Sequence, residues 1–121
     1  MGDTMEKLRE PSRPEVELLG MLLGRKFPGA AALRRQLPGL EVAPIDADGS
    51  LKLRPRPDAE AARVTRRVPV EGLYPDQDGE SVYVLLHVVH GLLDELELFR
   101  GDGETVKRRL EDADDFVVET W

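Results

Sequence analysis

The chain carries two histidines and no cysteine, so any nucleophilic or metal chemistry must be built from His87, His90 and the carboxylates. His87-Val88-Val89-His90 has a spacing that suits a shared metal only on a helix, because residues three apart on a strand point to opposite faces. The segment reads as a strand, so no metal and no cofactor is expected from it. Asp46-Ala47-Asp48-Gly49 and Asp76-Gln77-Asp78-Gly79 resemble fragments of calcium loops. Neither has the third acidic position before the glycine or the bidentate Glu beyond it, and Asp/Gly turn chemistry accounts for both. No glycine-rich phosphate cradle of either common pattern occurs. Arg34-Arg35, Arg66-Arg67 and Arg108-Arg109 are scattered pairs without interleaved aromatics, which read as solvated faces.

The one pairing with chemical content lies around His90-Gly91. If these form a two-residue turn, loop length fixes the register, and Val89 faces Leu92, Val88 faces Leu93 and His87 faces Asp94. One face then holds Tyr83, Leu85, His87, Val89, Leu92, Asp94, Leu96 and Leu98. The other holds Val82, Val84, Leu86, Val88, Leu93, Glu95, Glu97 and Phe99. Each is mostly apolar with a patch of ionisable groups. His87 and Asp94 form a candidate polar pair, in which Asp94 sets the tautomer and leaves the other ring nitrogen as base or ligand. The simpler reading is a self-satisfied cross-strand hydrogen bond contributing roughly 0.2 to 1 kcal/mol. Ser81 lies roughly 20 Å away along a strand at about 3.3 Å per residue, so no nucleophile is at hand and no catalytic residue is assigned. Glu95 and Glu97, with Tyr83, are the candidate interaction residues. Two carboxylates two apart without a sugar-stacking platform do not suggest a glycosidase.

These residues need elements to hold them. Residues 1–11 read as a charged, loosely ordered lead-in. Ser12, Pro14 and Glu15 make a capping box with proline in the first turn. The helix that follows places Val16, Leu19, Leu22 and Leu23 on one face, widened by Leu18 and Met21, and Gly24 ends it. After Phe27-Pro28-Gly29, residues 30–37 form a second, shorter helix stopped by Pro38-Gly39. The period then becomes alternating. Residues 40–45 and 51–54 flank an Asp/Gly turn; residues 63–74 extend with Pro69 marking an edge or bulge; residues 81–89 and 92–99 form the central hairpin. Residues 104–111 suit a short surface helix and residues 116–121 an apolar tail. The expected fold is α+β: an N-terminal helical pair packed on one face of an antiparallel sheet of about five strands. Residues 12–103 form the domain, and residues 104–121 an extension.

With 24 Asp and Glu against 17 Lys and Arg, the formal net charge is −7, a field that disfavours a nucleic-acid backbone and favours a basic protein surface. The longest apolar stretches are too short for a membrane span and the N-terminus lacks an apolar signal core, so the expected location is cytoplasmic.

Arg9-Glu10-Pro11, Phe27-Pro28-Gly29-Ala30 with Leu33-Arg34 and Gln36-Leu37, Val68-Pro69-Val70-Glu71, and Leu85-Leu86-His87-Val88-Val89 with Gly91 and Leu93-Asp94-Glu95-Leu96-Glu97 resemble a family of small uncharacterised bacterial proteins frequent in actinomycetes. The resemblance spans residues 9–103 and implies no activity. In that family the position of His90 is usually acidic, so the resemblance assigns His90 no role. The sequence thus points to a non-catalytic protein-binding module, immunity-like or inhibitory, that meets a basic partner. The alternatives are a homo-oligomer pairing through its mixed sheet face, and a small ligand-binding or enzymatic domain using His87 and Asp94.

Overall fold

Ser12 starts the first helix, α1 (Arg13–Leu23), by a reciprocal cap: its hydroxyl accepts from the Glu15 N–H, and the Glu15 carboxylate accepts from the Ser12 N–H at 2.7 Å. Leu18, Leu19, Leu22 and Leu23 are buried, whereas Val16 and Met21 are 45% and 49% exposed. Val16 and Met21 therefore fall outside the stripe in which the sequence placed them. The buried line runs through Glu15, already held by the cap and by Arg9, and leaves Val16 to one side. The second helix, α2 (Ala30–Arg34), is shorter than expected. Residues 35–37 continue only as turns, and the Gln36 side chain is buried and bonded elsewhere. Arg34 donates to the Leu23 carbonyl, tying α2 to the end of α1.

A computed structural model of the chain describes residues 7–113 and 115–120; residues 1–6 of the expected lead-in and Trp121 of the expected tail lie outside them. Six strands form one antiparallel sheet: β1 (Glu41–Pro44), β2 (Leu51–Arg54), β3 (Val70–Pro75), β4 (Ser81–Val89), β5 (Leu92–Arg100) and β6 (Val117–Thr120), in the order β1-β2-β5-β4-β3-β6. The fold class is as expected, with one strand more. The sixth comes from the tail, where β6 pairs with β3. At the opposite edge Arg9 exchanges two 2.8 Å backbone hydrogen bonds with Val42, so this part of the lead-in is tied to the sheet. Strand β3 starts at Val70, immediately after Pro69, because proline has no N–H for the ladder; residues 63–69 are irregular.

The inner face of the sheet packs on the helices. Val70, Tyr74, Val82, Val84, Leu86, Leu96 and Leu98 meet Leu19, Leu22, Leu23 and Leu33 in one core. Burial, with nearby Asp76, pushes the Tyr74 phenol well above its ordinary range, and its hydroxyl donates to the Arg108 carbonyl at 2.9 Å.

At one end of the sheet the inner face carries Arg100, whose side chain is 2% exposed. Its guanidinium reaches Asp76 at 3.0 Å and Asp78 at 2.8 Å, and its Nε donates to Asp102 at 3.0 Å. Asp76 also accepts from the backbone N–H groups of Gln77, Lys107 and Arg108. Burial alone would raise the Asp76 carboxyl, but these N–H groups and Arg100 outweigh it and hold it down at about 2. Arg100 likewise holds Asp102 at about 2. Residues 104–109 are not helical: the Arg108 N–H, which a helix from Glu104 would turn back on the Glu104 carbonyl, points at Asp76 instead. Only a 3-10 turn, Leu110–Asp112, remains of the expected helix.

At the other end, the turn between β4 and β5 has both central residues at positive φ, His90 at 53° and Gly91 at 77°, as a two-residue hairpin turn requires. Val89 pairs with Leu92 and Val88 with Leu93, as the sequence implied, but His87 pairs with Glu95. Asp94 is an extra residue, a β-bulge, and has no partner on β4. The expected pairing of His87 with Asp94 is therefore incorrect. Hairpin loop length determines only the first pairs, and the bulge resets the ladder beyond them. Gln36 fixes the spot: its amide oxygen accepts from the Leu93 N–H at 2.9 Å, and its amide nitrogen donates to the Gly91 and Glu60 carbonyls, each at 2.9 Å.

Three outcomes follow. A Cβ on Gly91 would lie 2.5 Å from the Ala62 carbonyl oxygen, whereas one on Gly79, at φ 90°, would meet nothing within 4 Å. Chemical denaturation should show Gly79→Ala losing about 1 kcal/mol from backbone strain alone, and Gly91→Ala clearly more, about 2 to 3 kcal/mol. Gln36→Leu, which orphans the Leu93 N–H, should cost about 1 to 3 kcal/mol by the same assay. The third concerns acid. Because Asp76 and Asp102 sit at about 2 in the fold against an ordinary 3.8, their stabilisation is complete above the unfolded value and disappears as pH falls from about 4 towards 2. Asp76→Asn should lower the neutral-pH Tm by several degrees and flatten the acid limb of a Tm-against-pH curve.

Candidate functional site

The bulge sorts the central hairpin by polarity. Before it, Leu93 faces the core; after it, Leu96, Leu98 and Arg100 do, and Glu95, Glu97 and Phe99 emerge on the outer face beside Tyr83, Leu85 and His87. The two mixed faces expected from an unbroken register are replaced by one apolar face against the helices and one half-exposed polar and aromatic face. Tyr83, Glu95 and Glu97, the candidate interaction residues, are thereby brought onto one surface, while Asp94 is separated from His87.

Directly paired residues share a face, so the outer surface can be laid out in rows. Lys52, Glu95 and His87 make the first, across β2, β5 and β4. Glu97, Leu85, Glu71 and Glu119 make the second, across β5, β4, β3 and β6. Phe99, Tyr83, Leu73 and Val117 make the third across the same four strands. The Tyr83 and Phe99 rings stack with centroids 5.4 Å apart. Partial burial, with Glu119 opposite, raises the Glu71 carboxyl above its ordinary value.

His87 sits at the top of this surface with 15% of its side chain exposed. Its Nε2 lies 2.8 Å from Glu97 Oε1, and its Nδ1 accepts from Arg67 Nε at 3.1 Å. An Nδ1 that accepts carries no proton, so Nε2 is the protonated nitrogen and donates to Glu97. Arg67 is held beside β4 because its own carbonyl accepts from the Val88 N–H at 2.8 Å. Read from the sequence as half of a solvated arginine pair, it is the residue that orients His87. The Pro69 interruption was the only cue that the chain there left the ladder. His87, Glu95 and Glu97 can each offer one ligand atom, and these atoms lie within 4.8 Å of one another. His90 is exposed in the turn and plays no part in this group.

The remaining sequence candidates have local roles. Asp46 accepts from the Asp48 and Ser50 N–H groups, and Asp48 accepts from Val106 N–H, so that motif is a turn that also pins the extension. A groove of about 270 Å³ runs between the start of α1, this turn and residues 106–111, lined by charges of both signs including Arg9, Glu15, Asp46 and Lys107. Beside Glu71 and Leu85 the outer face has a shallow hollow, flanked by Arg66 and Val68.

Among the described residues no helix is long and apolar enough to cross a membrane. No curated protein and no solved structure matches the chain. A family model for a domain of unknown function does match, over residues 8–117, a span that includes the segment whose backbone holds Asp76. The chain belongs to that family, DUF6984.

Proposed function

We propose that the chain is a protein-binding module whose outer sheet face receives a partner with a basic, partly apolar surface. One observation carries the reading: a row of Phe99, Tyr83, Leu73 and Val117 lies alongside a row containing Glu97, Glu71 and Glu119. An aromatic and aliphatic strip supplies contact area, and the neighbouring carboxylates supply steering and register. The acidic total charge of −7 acts in the same direction at long range. A shallow face suits a protein better than a small molecule, which binds in a concave pocket. Masking of a basic effector, as an inhibitory or immunity-like module does, is the form of function this face fits. A second copy docked about a two-fold axis centred on the face would set the acidic row against itself, so a basic partner is the better complement.

Capture from a lysate of the native host, with the full chain as bait, tests the reading. The wild type should retain a basic protein at low salt and release it as salt rises. A Glu71→Lys, Glu97→Lys double variant should reduce retention by about tenfold or more. Equal retention by both baits, or a wild type that recovers only itself as a dimer in light scattering, would overturn it.

A further inference from the structure

We propose that His87, Glu95 and Glu97 form a binding site for one divalent cation of the zinc class, and that Arg67 is the latch that keeps it shut. The donor set of one imidazole nitrogen and two carboxylate oxygens suits zinc and its neighbours, and three protein ligands leave positions open for water or another ligand. Ligand atoms around a tetrahedral ion at about 2.1 Å are about 3.4 Å apart. The three groups here lie within 4.8 Å of one another, so rotation of two carboxylate side chains is enough to close on an ion.

The ligands come from adjacent central strands and their backbones are fixed by the bulge, which makes the spacing a property of the fold rather than of a mobile loop. The sequence hides this set. In the unbroken register Glu95 and Glu97 lie on the face opposite His87, and the only spacing that looks like a ligand pair, His87 with His90, joins residues that the fold does not bring to one ion.

The latch follows from proton placement. Arg67 Nε donates to His87 Nδ1, so the proton sits on Nε2 and is shared with Glu97. A cation on Nε2 needs that lone pair. The ring stays neutral only if the proton leaves Nε2 and Nδ1 takes one up. The new Nδ1–H would then face the Arg67 N–H, donor against donor, beside a dication that also repels the guanidinium. Arg67 must therefore swing away, and since it is exposed it swings into water, leaving Nδ1–H to a water molecule. Arg67 and the cation thus compete for the same histidine.

Titration calorimetry with zinc chloride, and visible absorption with cobalt(II), on the full chain without an affinity tag, test the proposal. The expected result is one ion per chain. His87→Asn and Glu97→Gln should each weaken binding by about tenfold or more, while His90→Asn leaves it unchanged. Arg67→Ala should tighten binding several-fold, a gain that a poorly folded variant cannot mimic. Binding that ignores His87 and Glu97 would leave the trio as a hydrogen-bonded network alone, and an Arg67→Ala variant that binds no better than the wild type would overturn the latch. Repeating the partner capture in chelator separates this proposal from the docking face, since a basic partner retained in chelator needs no ion.

Discussion

One extra residue in one strand organises this molecule. Side chains alternate along a strand, so a regular β5 paired to β4 from the His90-Gly91 turn would send Glu95 and Glu97 towards the helices and Leu96 and Leu98 towards water. Asp94 interrupts the alternation after Leu93. Everything beyond it changes sides, and a sheet that would have been mixed on both faces becomes apolar within and polar without. Burying two carboxylates without cations would cost far more than the local disruption of one bulge. The bulge is therefore a condition of the fold, and the outer face is its consequence.

Two buried polar side chains hold the hairpin at its ends. Gln36, reaching from beyond α2, accepts the Leu93 N–H and donates to the Gly91 carbonyl, supplying bonds where β2 has already ended. Arg100 closes the other end, gathering Asp76, Asp78 and Asp102, while Asp76 collects the backbone of residues 107–108. One carboxylate thus joins the β3–β4 turn, the end of β5 and the start of the path leading to β6. A buried charge is stable only with such a full set of partners, and here the set doubles as the connection between segments far apart in sequence.

Much of this was legible in the residues. The capping box, the Asp/Gly turns, the two-residue turn at His90-Gly91 and the helical pair all rest on local rules that sequence displays. The interruption at Pro69 was equally plain. The bulge was not, because loop length determines only the pairs next to the turn and no local residue signature marks Asp94 as the extra one. The clue was indirect: each projected face carried both a long apolar run and ionisable groups, His87 with Asp94 on one and Glu95 with Glu97 on the other, a conflict that a one-residue shift removes. Arg67, Gln36 and Arg100 were invisible as functional groups, since their roles depend on segments 20 to 57 residues away. The strand β6 was too short and too polar at its end to announce itself.

The pairing of His87 is the point on which the outer face and both functional readings converge. Nuclear magnetic resonance of the full chain addresses it directly, through cross-strand contacts between β4 and β5 and the nitrogen shifts of the His87 ring. The account predicts His87 opposite Glu95, with the proton on Nε2. Contacts from His87 to Asp94, with an unbroken ladder continuing beyond them, would contradict it and return Glu95 and Glu97 to the face opposite His87.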